Sequence, residues 1–129
     1  MILFLAKHSI KPGITVIEMK GSLHAGTDCR RVEQEVEELI REKKVLVILD
    51  FSMITHIDSS AIGSVVRAHS QLKKAGGGLR FCGVKGMLEG AFKLTRVDKL
   101  VDMFPTAPAA AENFPASGSS AGAATPEKS

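Results

Sequence analysis

The sequence predicts an α/β layer fold with parallel neighbouring strands, on three observations. From residue 27 onward, strand-like and helix-like patterns alternate along the chain. Val45–Leu49 is apolar without alternation, as in a strand buried on both faces in the middle of a sheet. The stretch 50–63, Asp-Phe-Ser-Met-Ile-Thr-His-Ile-Asp-Ser-Ser-Ala-Ile-Gly, then leads into an amphipathic pattern, with Asp58, Ser59 and Ser60 where a helix should begin.

Each element can be argued in turn. Residues 2–7 have high strand propensity, Lys11-Pro12-Gly13 signals a turn, and Ile14–Lys20 is rich in β-branched residues, so the two strands form a hairpin. Gly21–Gly26 reads as a loop. Thr27 suits an N-cap and Asp28 a first turn, and the helix should run to about Lys43. Cys29, Val32, Val36, Leu39 and Ile40 fall on one face at spacings of three and four. Glu33, Glu35, Glu37 and Glu38 fall mainly on the others and read as a solvated surface. Arg30 and Arg31 sit near the positive end of the helix dipole, which is locally unfavourable.

After the Val45–Leu49 strand, Asp58 reads as an N-cap. Ile62, Val65, Val66, His69 and Leu72 form the packing stripe of the next helix, and on that stripe His69 reads as a satisfied core histidine. Lys73 and Lys74 suit its C-terminal end, and Gly76-Gly77-Gly78 stops it. Leu79–Val84 is a further strand. Met87–Thr95 is a short helix packing through Met87, Leu88, Ala91 and Phe92. A last strand lies near Leu100–Met103, and a helical turn around Ala107–Asn113 caps the domain with Phe114 packing back. From Pro115 the chain is mostly Ala, Ser, Gly and Pro and reads as a disordered tail, giving a domain at 1–114 and a tail at 115–129.

The totals exclude several function classes. The 129 residues suit one domain, able to bury roughly two-thirds of its unfolded surface without a metal or disulfide staple. Net charge is +3, but basic residues are scattered among acids, and no aromatic residue alternates with Arg or Lys as a nucleic-acid stacking surface requires. No direct nucleic-acid partner is expected. Cys29 and Cys82 lie far apart without metal-ligand spacing and read as free buried thiols. Met1–Ala6 is too short for a signal peptide, and no apolar run approaches the ~20 residues of a membrane span, so the expected location is cytoplasmic.

Catalysis finds little support. The glycine triplet follows a helix instead of opening one, so it is no phosphate loop. Gly-x-Ser-x-Gly is absent, and the four histidines are scattered at 8, 24, 56 and 69. His56 alone lies close in sequence to Ser59. Asp50 resembles a receiver aspartate at a strand end, but the first strand is followed by Lys7, His8, Lys11 and Pro12 where Mg²⁺-holding acids are needed. No enzyme activity, metal or cofactor is expected. Ser59 fits better as a residue modified by another protein. At the start of a helix a phosphate adds about −1.5 to −2 charges where the dipole favours them, whereas inside an interface the same charge is disruptive. The alternative is that Asp58 and the two serines merely cap a helix.

Val45–Gly63, read as a strand, Asp50-x-Ser52, four residues, then Ile-Asp-Ser-Ser-Ala-Ile-Gly, resembles the STAS domains of bacterial anti-sigma factor antagonists, whose pattern is Asp-Ser-Ser/Thr-Gly-Leu-Gly after the third strand. Gly21-Ser-Leu23 is similar to the family's Gly-x-Leu loop, Gly76–Val84 to its Gly-Gly and strand, and Leu94–Leu100 with Phe104-Pro105 to its closing segment. The resemblance covers about residues 2–114. It implies a mixed sheet of four to five strands packed with helices, no catalysis, and a serine switch. In that scheme the unmodified protein binds an anti-sigma factor, itself a serine kinase, and frees the sigma factor. Phosphorylation breaks the complex and a PP2C-type phosphatase restores it. Carried over by position, Ser59 is the acceptor and Asp58 orients the helix start. The partner surface takes in His56, Asp58, Ser59, Ser60 and Ala61, with His24 in the adjoining loop. Two positions depart from the pattern. Ala61 replaces a glycine, and His24 replaces the aspartate that commonly follows Gly-x-Leu, removing a negative charge beside the site. An alternative within the family is a scaffold subunit of a signalling or transporter complex with no phospho-switch.

Overall fold

The computed structural model describes residues 3–114, so the predicted tail at 115–129 and residue 2 of the first predicted strand lie outside the described residues. Strands β1 (Phe4–Lys11) and β2 (Ile14–Leu23) form an antiparallel hairpin. The turn between them is Pro12-Gly13, with Gly13 at φ 83°, a backbone conformation open to glycine. Strands β3 (Leu46–Ile57), β4 (Gly78–Cys82) and β5 (Asp102–Phe104) add in parallel, giving a mixed five-stranded sheet in the order β1-β2-β3-β4-β5. Helices α1 (Thr27–Arg41), α2 (Ser59–Lys74) and α3 (Met87–Leu94) connect the parallel strands, and α4 (Ala107–Ala111) follows β5. The α/β layer reading and the mixed sheet are both observed.

The non-alternating run in β3 behaves as predicted. Val47, Leu49 and Phe51 enter the large core beneath α1, α2 and α3, while Ile48 enters a second cluster with Ile14, Val16, Cys82, Ala110, Ala111 and Phe114. A strand with both faces covered cannot alternate. Both cysteines are free and buried. Burial, with Asp50 nearby, pushes the Cys82 thiol up to about 12.

Several boundaries and faces differ from the sequence reading, each for a physical reason. The cap of α1 is Gly26, not Thr27. Its φ of 84° selects glycine, and no side chain caps that helix. β2 takes in Gly21–Leu23 of the predicted loop, and β3 continues seven residues beyond Asp50. That extension pairs only with β2, because the β4 register ends at Asp50 opposite Cys82. The buried face of α2 is Ala61, Ser64, Val65, Ala68 and Leu72, while Ile62 and Val66 pack at its margin. Small residues let the helix close on the sheet, so the stripe of large residues was rotated from the true one. His69 is half-buried, and its Nδ1 has no hydrogen-bond partner among the described residues, so it is not the satisfied core histidine expected. In α3 only Leu88 and Phe92 are buried, and Met87 is 73% exposed. The last strand begins at Asp102, not Leu100.

The acidic face of α1 is not simply solvated. Lys7 on β1 reaches Glu35 at 2.7 Å and Glu38 at 3.5 Å. Arg31 has a reason that the sequence did not disclose, since its guanidinium donates to the carbonyl of Leu3 and ties the chain start to α1. Gly77 lets the chain leave α2 close to β3. A Cβ there would collide with the Val45 carbonyl oxygen.

Candidate functional site

Parallel strands that run the same way deliver their following helices to one end of the sheet. The ends of β2 and β3 lie side by side, with Ser22 opposite His56 and Leu23 opposite Ile57. The starts of α1 and α2 are therefore neighbours, and Asp58 joins them. One carboxylate oxygen accepts from the Ala61 N–H at 3.0 Å and caps α2, while the other accepts from the Ala25 N–H at 2.9 Å. The Asp58 N–H in turn donates to the Leu23 carbonyl at 3.2 Å. These bonds, first from Ala25 and then from Ala61, hold the Asp58 carboxyl below its ordinary pKa. Asp58 thus does more than the predicted cap, because it fixes the His24–Gly26 turn beside the first turn of α2.

The remaining predicted residues are placed as follows. Ser59 and Ser60 are exposed on the first turn of α2. His56 is exposed within the end of β3, not in a loop, with Nδ1 3.4 Å from Thr55 Oγ1. His24 is exposed, with Nδ1 3.8 Å from the Asp28 carboxylate. Ala61 is fully buried, so its side chain packs in the core and offers no surface. An added glycine-like freedom is not needed there, since Ala61 is an ordinary helical residue. Asp50 lies inside β3 and accepts from the Ser52 N–H at 2.9 Å and its hydroxyl at 2.7 Å.

Sequence reasoning missed a polar group between the helices. Glu33 of α1 accepts from the Ser64 hydroxyl at 2.6 Å and from Arg67 at 2.9 Å, both on α2. Those bonds, the one from Ser64 foremost, depress the Glu33 pKa. The i,i+3 spacing of Ser64 and Arg67 was a usable signal, but nothing in the sequence paired them with α1. Cys29, beneath this group, donates to the His24 carbonyl at 3.1 Å, and burial raises its pKa, so it is held as a thiol.

Asp58→Ala should cost about 1–2 kcal/mol near neutral pH, from lost capping and the lost Ala25 tether. The sign of its pH dependence follows from the depressed folded pKa. Asp58 contributes stability above its unfolded pKa, and that contribution is lost as pH falls through the folded value. Urea unfolding at a series of pH values should therefore show the gap between wild type and Asp58→Ala closing in acid. A gap independent of pH would contradict the ionic role.

Ser59 and Ser60 are thus displayed at the end of the sheet where the starts of α1 and α2 meet. The chain matches the family profile of the STAS domain over residues 7–110 and belongs to that family. It shares its fold with solved structures. A Thermotoga maritima protein, TM1081, is 18% identical with a TM-score of 0.78, over 85% of this chain and 93% of that one. An anti-sigma factor antagonist from Mycobacterium paratuberculosis is 16% identical (TM-score 0.70, 83% and 89% covered). A sulfate transporter family protein from Wolinella succinogenes is 16% identical (TM-score 0.64, 80% and 85% covered). At these identities the likeness is one of fold. Among curated protein sequences none matches. No helix among the described residues is long and apolar enough to cross a membrane.

Proposed function

We propose that this protein is an anti-sigma factor antagonist switched by phosphorylation of Ser59. In its unmodified form it binds an anti-sigma factor with serine-kinase activity and releases the sigma factor. A phosphate on Ser59 ends that complex, and a PP2C-type phosphatase reverses the modification. The chain itself contributes no catalysis and acts in the cytoplasm. The observation that carries this reading is Asp58. By holding Ala25 and Ala61 at once it builds a continuous rigid surface from the His24–Gly26 turn and the first turn of α2. The Ser59 side chain stands exposed on that surface. A dianion added there suits the helix start and not a buried interface.

The test is incubation with ATP and the serine-kinase anti-sigma factors of the same genome, followed by mapping of phosphate by mass spectrometry. Phosphate at Ser59, and loss of the complex on modification, is the expected result. No phosphate at Ser59 with any of them, and unchanged binding by Ser59→Asp, overturns the switch. The structural likeness to a sulfate transporter family protein favours the scaffold reading as the second choice. In that case the same surface would bind a transporter or signalling subunit whether or not Ser59 carried a charge.

A further inference from the structure

The two serines of the pair do not face the same surroundings. Beside the start of α2 lies a cleft of about 270 Å³, room for several water molecules at about 30 Å³ each. Its walls include Gly26, Arg30 and Glu33 from the α1 side and Ser60, Ser64 and Arg67 from α2. Ser60 lines it and Ser59 does not.

The charges around this cleft are almost all matched. Asp28 accepts from the His24 N–H at 3.1 Å. Asp58 is held by Ala25 and Ala61, and Glu33 by Ser64 and Arg67. Arg31 is engaged with Leu3. Arg30 differs. Among the described residues its guanidinium has no hydrogen bond or ion pair, and acts on Glu33 only at longer range. It is also an exposed cation in the first turn of α1, where the helix dipole disfavours it. The cleft is thus lined by a surplus guanidinium, a second one in Arg67 that is 65% exposed, and the Ser60 residue of the pair. Guanidinium pairs of this kind hold phosphoryl oxygens through charge-assisted bonds.

We propose that the cleft is a phosphoryl seat, in which Arg30 and Arg67 hold a phosphate carried by Ser60 as a second modification site. The acceptor role rests on the kinase reading above, and the seat does not. In the transfer, the Ser60 Oγ–P bond forms and the bond from the γ-phosphorus of ATP to its bridging oxygen breaks. ADP leaves, and the hydroxyl proton passes to the kinase base or to solvent. The two phosphates then act differently. On Ser59 the charge stands towards a partner. On Ser60 it is neutralised within the chain and draws Arg67 away from Glu33.

The test uses the full chain with phosphoserine installed during translation at position 60 or at position 59, and follows the phosphate by phosphorus NMR against pH. The expected result is that the phosphate on Ser60 loses its second proton about one pH unit lower than that on Ser59, since nearby cations favour the dianion. Arg30→Gln, at an exposed position, should remove most of that difference. Equal titration of the two phosphates, or no effect of Arg30→Gln, overturns the seat. Inorganic phosphate added to the unmodified protein should not saturate the cleft at millimolar concentration. Saturation would overturn the assignment to Ser60 in favour of a free ligand. For the acceptor role, Ser59→Ala is given to a kinase that modifies the wild type. Phosphate found at Ser60 supports it, and none overturns it. A kinase that modifies neither serine of the wild type sinks both the Ser59 switch and the acceptor role, while the titration still decides the seat.

Discussion

Ser59→Asp should weaken binding to the proposed anti-sigma partner by about 100-fold, near 2.7 kcal/mol, with no loss of fold stability. The two halves of that expectation come from one location. Ser59 is exposed on the first turn of α2, and no acidic side chain occupies that turn. A carboxylate placed there meets the positive end of the helix dipole, which stabilises the free protein by about 0.3–1 kcal/mol. The same carboxylate inside a complex loses its water and gains no partner, and an unpaired buried charge costs about 2–5 kcal/mol. Thermal unfolding and titration calorimetry on the same variant separate the two effects. Ser59→Ala should bind as the wild type does. Ser70→Asp, exposed further along α2, should change neither quantity. A loss of affinity accompanied by an equal loss of stability would point to damage of the fold and not to a switch.

Much of this arrangement was readable from the chain, for reasons that explain what was not. Asp58 declared itself because a cap is local, with acceptor and donor three residues apart. Its second bond, to Ala25, spans 33 residues and has no local signature. Val45–Leu49 announced a central strand because burial on both faces leaves a run of apolar residues. The rest of β3 went unread because it pairs on one side only and carries exposed Ser52, Met53, Thr55 and His56. The face of α2 was misplaced because periodicity weighs large side chains. Ala61, Ser64 and Ala68 are buried by virtue of being small. Arg30 and Arg31 were unfavourable neighbours of a helix start in the sequence. Only the fold separates them, sending Arg31 to Leu3 and leaving Arg30 at the cleft.

Arg80→Ala should destabilise the protein by about 3 kcal/mol, although the residue lies on a strand near the end of the domain. Half-buried on β4, Arg80 donates to the carbonyls of Ala110 and Glu112 at 2.9 Å each and of Asn113 at 3.2 Å. Its guanidinium lies 4.4 Å from the ring centroid of Phe114 and 5.1 Å from that of Phe104. Burial lowers its pKa from the usual value without making it neutral at ordinary pH. Those carbonyls close α4, where few intrahelical donors remain, so one side chain satisfies acceptors that would otherwise be orphaned. Removing it costs the charge-assisted bonds, at about 1.5–3 kcal/mol apiece before water replaces some of them, and the ring stacking. It also loosens the lid over Ile14, Val16, Ile48 and Cys82. Lys in its place keeps the charge but has no planar fork for three carbonyls, so Arg80→Lys should recover less than half the loss. Urea denaturation of both variants gives the comparison, and a loss under about 1 kcal/mol for Arg80→Ala would contradict it. Because α4 covers a different core cluster from α1 and α2, the folded Arg80→Ala protein should still bind its partner through Ser59 with wild-type affinity. Stability and partner affinity therefore separate in opposite directions in the two variants: Ser59→Asp loses affinity alone, and Arg80→Ala loses stability alone.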